Sequence, residues 1–347
     1  MSRSTRADGR IRIGIIGGGS IAGAHLDGYL QAPDAVAVTA VADIDPAHAR
    51  DRADRAGGAQ VFVDYREMLA SSLVDAVDIC LPHHLHADAI VAAAEAGKHV
   101  LCEKPLCLTL AEADRVQRAV SDAGITLMCA HNQLFLPPVV AAHELLQKGI
   151  LGRVYQARTT DSFYNDFDPD SMGWRAHRST SGGGELIDTG YHPTYLLLHL
   201  IDSEPVEVIA MLSRHRLTFM EGEDSAEVVV RFADGSVGTL TTSWAYEPAG
   251  STEKFSVVGE AGSMWSDGRA LFHQPRDGEV VQLVDPPEDE IETIGLSVLD
   301  FVACLRDGRR PINTEVEGIS VLKVILGAYA SADERRTISL AELSGLS

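Results

Sequence analysis

Residues 11–22 read Ile11-Arg12-Ile13-Gly14-Ile15-Ile16-Gly17-Gly18-Gly19-Ser20-Ile21-Ala22. An apolar run, Ile11–Ile16, passes into glycines and then into helix-forming sequence that continues to about Gln31. The segment Gly17-x-Gly19-x-x-Ala22 fits the G-x-G-x-x-G/A pattern. Its first glycine permits a tight turn, its second lets backbone approach a pyrophosphate, and Ala22 allows close helix–strand packing. The phosphates would rest on the amides that open the helix, at Ser20 and Ile21. Alone this pattern is weak, but here it follows a strand, opens a helix and is joined by Asp43 at the end of the next apolar run. Asp43 lies about 20 residues past Ala22, the spacing of an acid that receives ribose hydroxyls. Its charge would repel a 2′-phosphate, and the following Ile44-Asp45 offers no arginine to hold one. A dinucleotide site that favours NAD over NADP is expected.

The texture around this stretch extends the reading. Ala35–Asp43, Val61–Val63, Ala76–Cys80, His99–Cys102 and Thr126–Ala130 are short apolar runs. Helical stretches separate them at Asp45–Ala56, Tyr65–Ala70, Leu85–Ala96 and Leu110–Ala123. Strands apolar throughout and spaced by helices indicate a parallel sheet covered on both faces, wound by right-handed crossovers. Past residue 150 the pattern becomes β-branched. About six strands are expected, at Val154–Tyr164, Val206–Leu217, Glu227–Phe232, Val237–Trp244, Lys254–Gly259 and Val280–Val284, with an Ala233-Asp234-Gly235-Ser236 hairpin turn. Helices are expected at Val139–Lys148, Asp188–Leu200, Ser297–Arg306 and Glu315–Asp333.

The chain has 347 residues and a net charge of −21, which favours two domains and excludes a phosphate-backbone binder or an anionic-lipid binder. Neither nucleic acid nor membrane is an expected partner. The five cysteines form no CxxC pair, and a cytoplasmic protein is the expectation. Met1–Arg10 reads as a polar tail. Only five cations are lysines, at 98, 104, 148, 254 and 323. One of them follows a buried strand in Cys102-Glu103-Lys104-Pro105, at the carboxyl edge of the sheet where cofactor chemistry occurs in open α/β domains.

Four segments together carry a resemblance. Gly17–Ala22, Cys80-Leu81-Pro82-His83-His84-Leu85-His86 and Ala96-Gly97-Lys98-His99-Val100-Leu101-Cys102-Glu103-Lys104-Pro105 occur in that order. Gly182-Gly183-Gly184-Glu185-Leu186-Ile187-Asp188-Thr189-Gly190-Tyr191-His192 follows them. The chain resembles the Gfo/Idh/MocA family of oxidoreductases from about Ile11 to Arg336. The resemblance implies an α/β protein, with an N-terminal Rossmann doubly wound parallel sheet and a C-terminal α+β domain whose large open sheet is mostly antiparallel. The expected division is a tail at 1–10, an NAD-binding domain at 11–135, and a substrate-binding and oligomerisation domain at 136–347. The resemblance also implies a sugar or polyol substrate and a homodimer or homotetramer built on the open sheet.

By position, the resemblance makes Lys104, Asp188 and His192 the catalytic set. It assigns the cofactor to Gly17, Gly19, Ser20, Ile21, Ala22, Asp43, Pro82, His83, His86, Glu103 and Lys104. The residue types suit alcohol oxidation, in which the nicotinamide takes the hydride and the protein must handle a proton and developing charge. His192 is the natural base near neutrality and Lys104 the charge that stabilises an alkoxide; the reverse assignment stays open. Asp188 can orient the base or hold a neighbouring hydroxyl. Substrate contacts are expected from Asn132, Tyr164, Trp174, Arg175, Asp188 and His192, because hydrogen-bonding groups with aromatic faces suit sugars.

Some positions depart from the family pattern. His83 stands where an Asn is common, Leu134 where an Arg is, and Tyr195 where an Asp often follows the histidine. The His83-His84-x-His86 trio lacks a completing cysteine or carboxylate nearby, so no metal is expected. The leading expectation is an NAD-dependent dehydrogenase acting on a secondary hydroxyl of a sugar, sugar derivative or cyclic polyol. Its rivals are an NAD-dependent glycoside-cleaving enzyme that oxidises transiently and a non-enzymatic sensor of NAD or sugar.

Overall fold

A computed structural model describes residues 9–247 and 253–345. Most of the tail expected at 1–10 therefore lies outside the described residues. The chain divides into two compact units. One comprises residues up to Cys107, Ala111–Asn132 and Glu292–Gly318; the other comprises Leu108–Leu110, Gln133–Ile291 and the chain from Ile319.

The first unit holds β1 (Ile11–Ile16), α1 (Ser20–Leu30), β2 (Val36–Ala42), α2 (Pro46–Arg55), β3 (Gln60–Phe62) and α3 (Tyr65–Ala70). They are followed by β4 (Ala76–Ile79), α4 (His86–Glu95), β5 (His99–Cys102), α5 (Leu110–Ala123) and β6 (Leu127–Cys129). The strands are parallel in the order β3-β2-β1-β4-β5-β6. The order reverses between β1 and β4, the switch point beyond whose carboxyl ends ligands bind. Asp45 caps α2 by accepting from Ala47 N–H at 2.8 Å, ahead of Pro46. Ile13, Ile15, Val77, Ile79, Val100 and Leu101 fill the sheet interior.

The sequence places residues 292–318 in the second domain. In the structure this segment belongs to the first unit, because Gly28 on α1 and Gly295 let the two backbones close up.

The second unit contains α6 (Pro137–Gln147), β7 (Val154–Ser162), α7 (Pro169–Met172), α8 (Arg178–Ser181), α9 (Glu185–Asp188) and α10 (Tyr191–Ile201). Its remaining strands are β8 (Pro205–Ser213), β9 (Ser225–Phe232), β10 (Val237–Ser243), β11 (Phe255–Gly259), β12 (Gly262–Ser266), β13 (Leu271–Pro275), β14 (Val281–Val284) and β15 (Ile338–Ser339). They form one nine-stranded sheet in the order β14-β13-β12-β11-β7-β10-β9-β8-β15, antiparallel except for the β7–β10 pair. Helix α11 (Thr293–Asp307) is in the first unit, and α12 spans Glu315–Glu334. The nine strands exceed the six expected because β12, β13 and β15 are short and lack β-branched runs. One face of the sheet packs against α10, where Leu197 covers Gly238. On β9, Val228, Val230 and Phe232 are buried while Glu227, Val229 and Arg231 alternate outward.

Candidate active site

The glycine turn is built as its sequence demands. Gly17 has φ of 96°, and a Cβ there would meet the Cys80 carbonyl oxygen at 2.4 Å, so only glycine fits. A Cβ on Gly19, by contrast, would meet nothing within 4 Å, leaving the space in front of the turn open. Gly19 takes the N-cap position of α1, which has no side-chain cap and no acid in its first turn. Its opening amides at Ser20, Ile21 and Ala22 therefore suit an anion.

Asp43 lies just beyond β2. Its Oδ2 accepts from Gly18 N–H at 2.6 Å and its Oδ1 from Asp45 N–H at 2.7 Å. It thus braces the turn and retains carboxylate lone pairs for ribose hydroxyls. Arg52, which the sequence reading does not single out, donates from α2 to the Gly19 carbonyl at 3.1 Å. These features fit a dinucleotide pyrophosphate and ribose.

The exits of β4, β5 and β6 carry the next group. Pro82 opens a 3₁₀ turn at His83–Leu85, and His83 is buried. His86 is fully buried, with Nδ1 2.6 Å from the Pro105 carbonyl and Nε2 2.8 Å from the Leu81 carbonyl. Burial pushes its pKa down. His86 therefore ties the β4 exit to the Lys104–Pro105 corner, and a direct cofactor contact does not suit a ring engaged at both nitrogens. Lys104 donates its backbone N–H to Glu103 Oε2 at 3.2 Å. Asn132 Nδ2 donates to Thr293 Oγ1 at 2.8 Å. The histidine trio forms no metal-type cluster among the described residues.

In the second unit the Asp188–His192 segment is not one helix. It breaks at Thr189-Gly190 between α9 and α10, and Pro193 falls in the first turn of α10, where its missing N–H costs nothing. Arg175 Nε donates to Asp188 Oδ2 at 2.6 Å, and its guanidinium lies 4.3 Å over the Trp174 ring. Asp188 is 5% exposed and so is a compensated, buried carboxylate. Trp174 and Arg175, proposed from the loop before the glycines, thus form one array with Asp188 after them.

His192 Nδ1 lies 2.8 Å from the Tyr195 hydroxyl, which also accepts from Gln133 N–H at 3.0 Å. A hydroxyl can donate to or accept from an imidazole, so this contact serves both protonation states of the ring. Tyr195 replaces a common acid, yet supplies a partner for His192.

Asp161, at the end of β7, accepts from Lys254 Nζ at 2.9 Å and Gln133 Nε2 at 3.0 Å. Burial alone would raise its pKa; the charges of Lys254 and His192 outweigh that and lower it. The sequence reading assigns no role to Gln133 or Lys254; the scarcity of lysine was the available signal for the latter. Tyr164 is exposed and lies under Arg216, whose Cζ is 4.2 Å from the ring centroid.

With this geometry in view, two family models match. One, described as an oxidoreductase family with an NAD-binding Rossmann fold, covers residues 11–131, and the GFO/IDH/MocA C-terminal domain covers residues 139–265. The chain belongs to the Gfo/Idh/MocA oxidoreductase family. It is 30% identical to levoglucosan dehydrogenase of Pseudarthrobacter phenanthrenivorans over 286 residues, 73% of either chain. It is 27% identical to myo-inositol 2-dehydrogenase of Thermotoga maritima, over 96% of this chain and 100% of the relative. Its fold is similar to that of levoglucosan dehydrogenase solved in complex with NADH and levoglucosan, with a TM-score of 0.86 and 26% identity over 95% of this chain and 99% of that one. The first unit is the NAD-binding Rossmann domain of a Gfo/Idh/MocA enzyme, in a family of sugar and polyol dehydrogenases. No helix among the described residues is long and apolar enough to cross a membrane.

Proposed function

We propose that this Gfo/Idh/MocA enzyme oxidises a secondary hydroxyl of a sugar, sugar derivative or cyclic polyol and prefers NAD to NADP. In this reading residues 11–135 bind the cofactor, and 136–347 bind substrate and make subunit contacts, with 292–318 folding alongside the former. The nicotinamide, when bound, accepts the hydride. His192 takes the hydroxyl proton, and Tyr195 keeps its ring oriented through the transfer. Lys104 supplies the positive charge that stabilises the alkoxide as it forms. Asp188 accepts a hydrogen bond from a neighbouring substrate hydroxyl while Arg175 holds its charge in place.

The observation that carries this assignment is the 2.6 Å Arg175–Asp188 pair. That pair commits the Asp188 carboxylate to Arg175, and in this reading proton abstraction falls to His192. Asp43 supports the preference for NAD, since its carboxylate would face a 2′-phosphate. The test is the pH dependence of kcat/KM on whichever panel sugar or inositol is turned over. His192→Ala should flatten the acid limb, while Lys104→Ala should lower the rate and keep the limb. The opposite pattern would make Lys104 the base.

A further inference from the structure

Asp78 places a carboxylate inside the parallel sheet. It sits in β4 with 0% exposure, where an unpaired charge would be strongly destabilising. Three groups meet it. His25 Nδ1 lies 2.8 Å from Oδ2, the Tyr29 hydroxyl donates to the same oxygen at 2.9 Å, and the Cys80 thiol lies 3.6 Å from Oδ1. His25 and Tyr29 are four residues apart on α1, so they present one face. The second nitrogen of His25, Nε2, lies 3.0 Å from Glu103 Oε1. The other oxygen of Glu103 receives the backbone N–H of Lys104.

A neutral imidazole has one N–H, whereas an imidazolium has two. A ring with a carboxylate at each nitrogen is fully satisfied as the cation. Burial alone would drive the proton off His25, but Asp78, with Cys80 beside it, outweighs burial and holds His25 well above its usual value. Burial, then Asp78, pushes the Cys80 thiol up to about 12. His25, Asp78 and Cys80 have donor atoms close enough to hold a metal ion. Both ring nitrogens are nevertheless engaged and the thiol keeps its proton, so the cluster suits a proton better than a metal.

We propose that the Asp78–His25–Glu103 chain is a positioning device for Lys104, with His25 clamping the Glu103 carboxylate and Glu103 holding the backbone that carries the lysine. The proposal rests on the reading of Lys104 given above. The groups that face His25 are Tyr29 from its own helix, Asp78 from β4, Cys80 just past β4, and Glu103 just past β5, with Lys104 next in the chain. Loss of the imidazolium proton would leave one N–H to serve two carboxylates. The hold on Glu103 would weaken, and with it the placement of Lys104.

The test uses the full-length protein loaded with NAD. Ring ¹⁵N signals of labelled histidines, with His25→Gln assigning the signal, should show His25 still as the cation at a pH where an ordinary histidine has lost its proton. A neutral tautomer at neutral pH would overturn the proposal. Asp78→Asn keeps a side chain of the same shape and removes the charge that offsets burial, so His25 should then titrate well below its wild-type value. With ¹³C-labelled lysine there are only five side-chain signals to follow. The Lys104 signal, assigned through Lys104→Arg, should move over the pH window in which His25 titrates in Asp78→Asn, and stay in place over that window in the wild type. A Lys104 signal indifferent to the state of His25 would overturn the proposal even if no sugar were turned over. On an active substrate, Asp78→Asn should lose turnover about ten-fold as pH rises through this window, corresponding to about 1.4 kcal/mol. A uniform loss at every pH would mean a merely structural role and would also overturn it.

Discussion

Asp43 accepts two backbone N–H groups, one of them from the glycine turn itself. Asp43→Ala should therefore do more than remove a ribose contact. We expect NAD binding to weaken by about ten-fold or more, since charged hydrogen bonds contribute ~1.5–3 kcal/mol, and discrimination against NADP to fall. Titration of both cofactors by protein fluorescence checks this; unchanged NAD affinity would remove Asp43 from the site. Lys104→Ala should lower turnover by about 10²–10³-fold, the scale of a lost oxyanion-type donor, while NAD affinity stays near that of the wild type. Lys104 and the glycines were legible because their meaning is local: a turn, a strand end, a proline. Asp78, Tyr195, Lys254 and Arg175 were harder because their partners come from remote segments. His25 meets Asp78 only once α1 packs on the sheet, and Lys254 meets Asp161 only across paired strands. Arg175 was named from the sequence, but its pairing with Asp188 was not.

At the level of the element, the Gly182–Gly184 run shows what the sequence pattern leaves unsaid. A Cβ on Gly184 would lie 2.0 Å from the Glu223 carbonyl oxygen, so the run lets α9 close on the loop before β9. Gly184→Ala should destabilise by about 1–3 kcal/mol through overpacking, measured by denaturant midpoint.

Beneath this turn, Glu185 is fully buried, with one oxygen hydrogen-bonded by the Thr242 hydroxyl. Glu223 receives Leu186 N–H at 3.0 Å and the Tyr329 hydroxyl at 2.9 Å. Burial pushes the Glu185 carboxyl well above the ordinary range. A carboxyl raised in the folded state contributes stability that is fully present below its unfolded value and is lost as pH rises through the folded one. Glu185→Gln keeps an oxygen for Thr242 and removes the titration. It should raise Tm by about 2–4 °C at alkaline pH, the effect of ~1 kcal/mol, with the gain shrinking as pH falls towards 5. A gain independent of pH would contradict this origin. Hydrophobic periodicity made the first unit's elements readable almost to the residue. The break at Thr189-Gly190 was not, because it depends on how closely Gly190 approaches Leu186.

For the whole molecule, the −21 charge constrains solubility and says nothing about substrate. The exposed face of the nine-stranded sheet is more informative. Met211 is 75% exposed on β8, where Ile209 is exposed too; Val229 pairs with Ile209 from the adjacent β9, and Val258 is exposed further across the same sheet on β11. Such a face supports the proposed homodimer or homotetramer. Light scattering should find an oligomer that the double substitution Met211→Glu, Val229→Glu reduces to monomer; a monomeric wild type would end that proposal. The class of each unit was readable because both sheets follow their periods, whereas the number of strands and the placement of residues 292–318 depend on packing between distant segments.

The central claim is that this enzyme removes a hydride from a secondary alcohol of a sugar or polyol and passes it to NAD. Its most direct test is the absorbance of NADH formed with NAD across a panel of aldoses, ketoses, anhydrosugars and inositols. The account predicts steady NADH formation with at least one of them, reduced by orders of magnitude in both Lys104→Ala and His192→Ala. NAD bound tightly with no NADH formed from any of them, or formation indifferent to both substitutions, would contradict it.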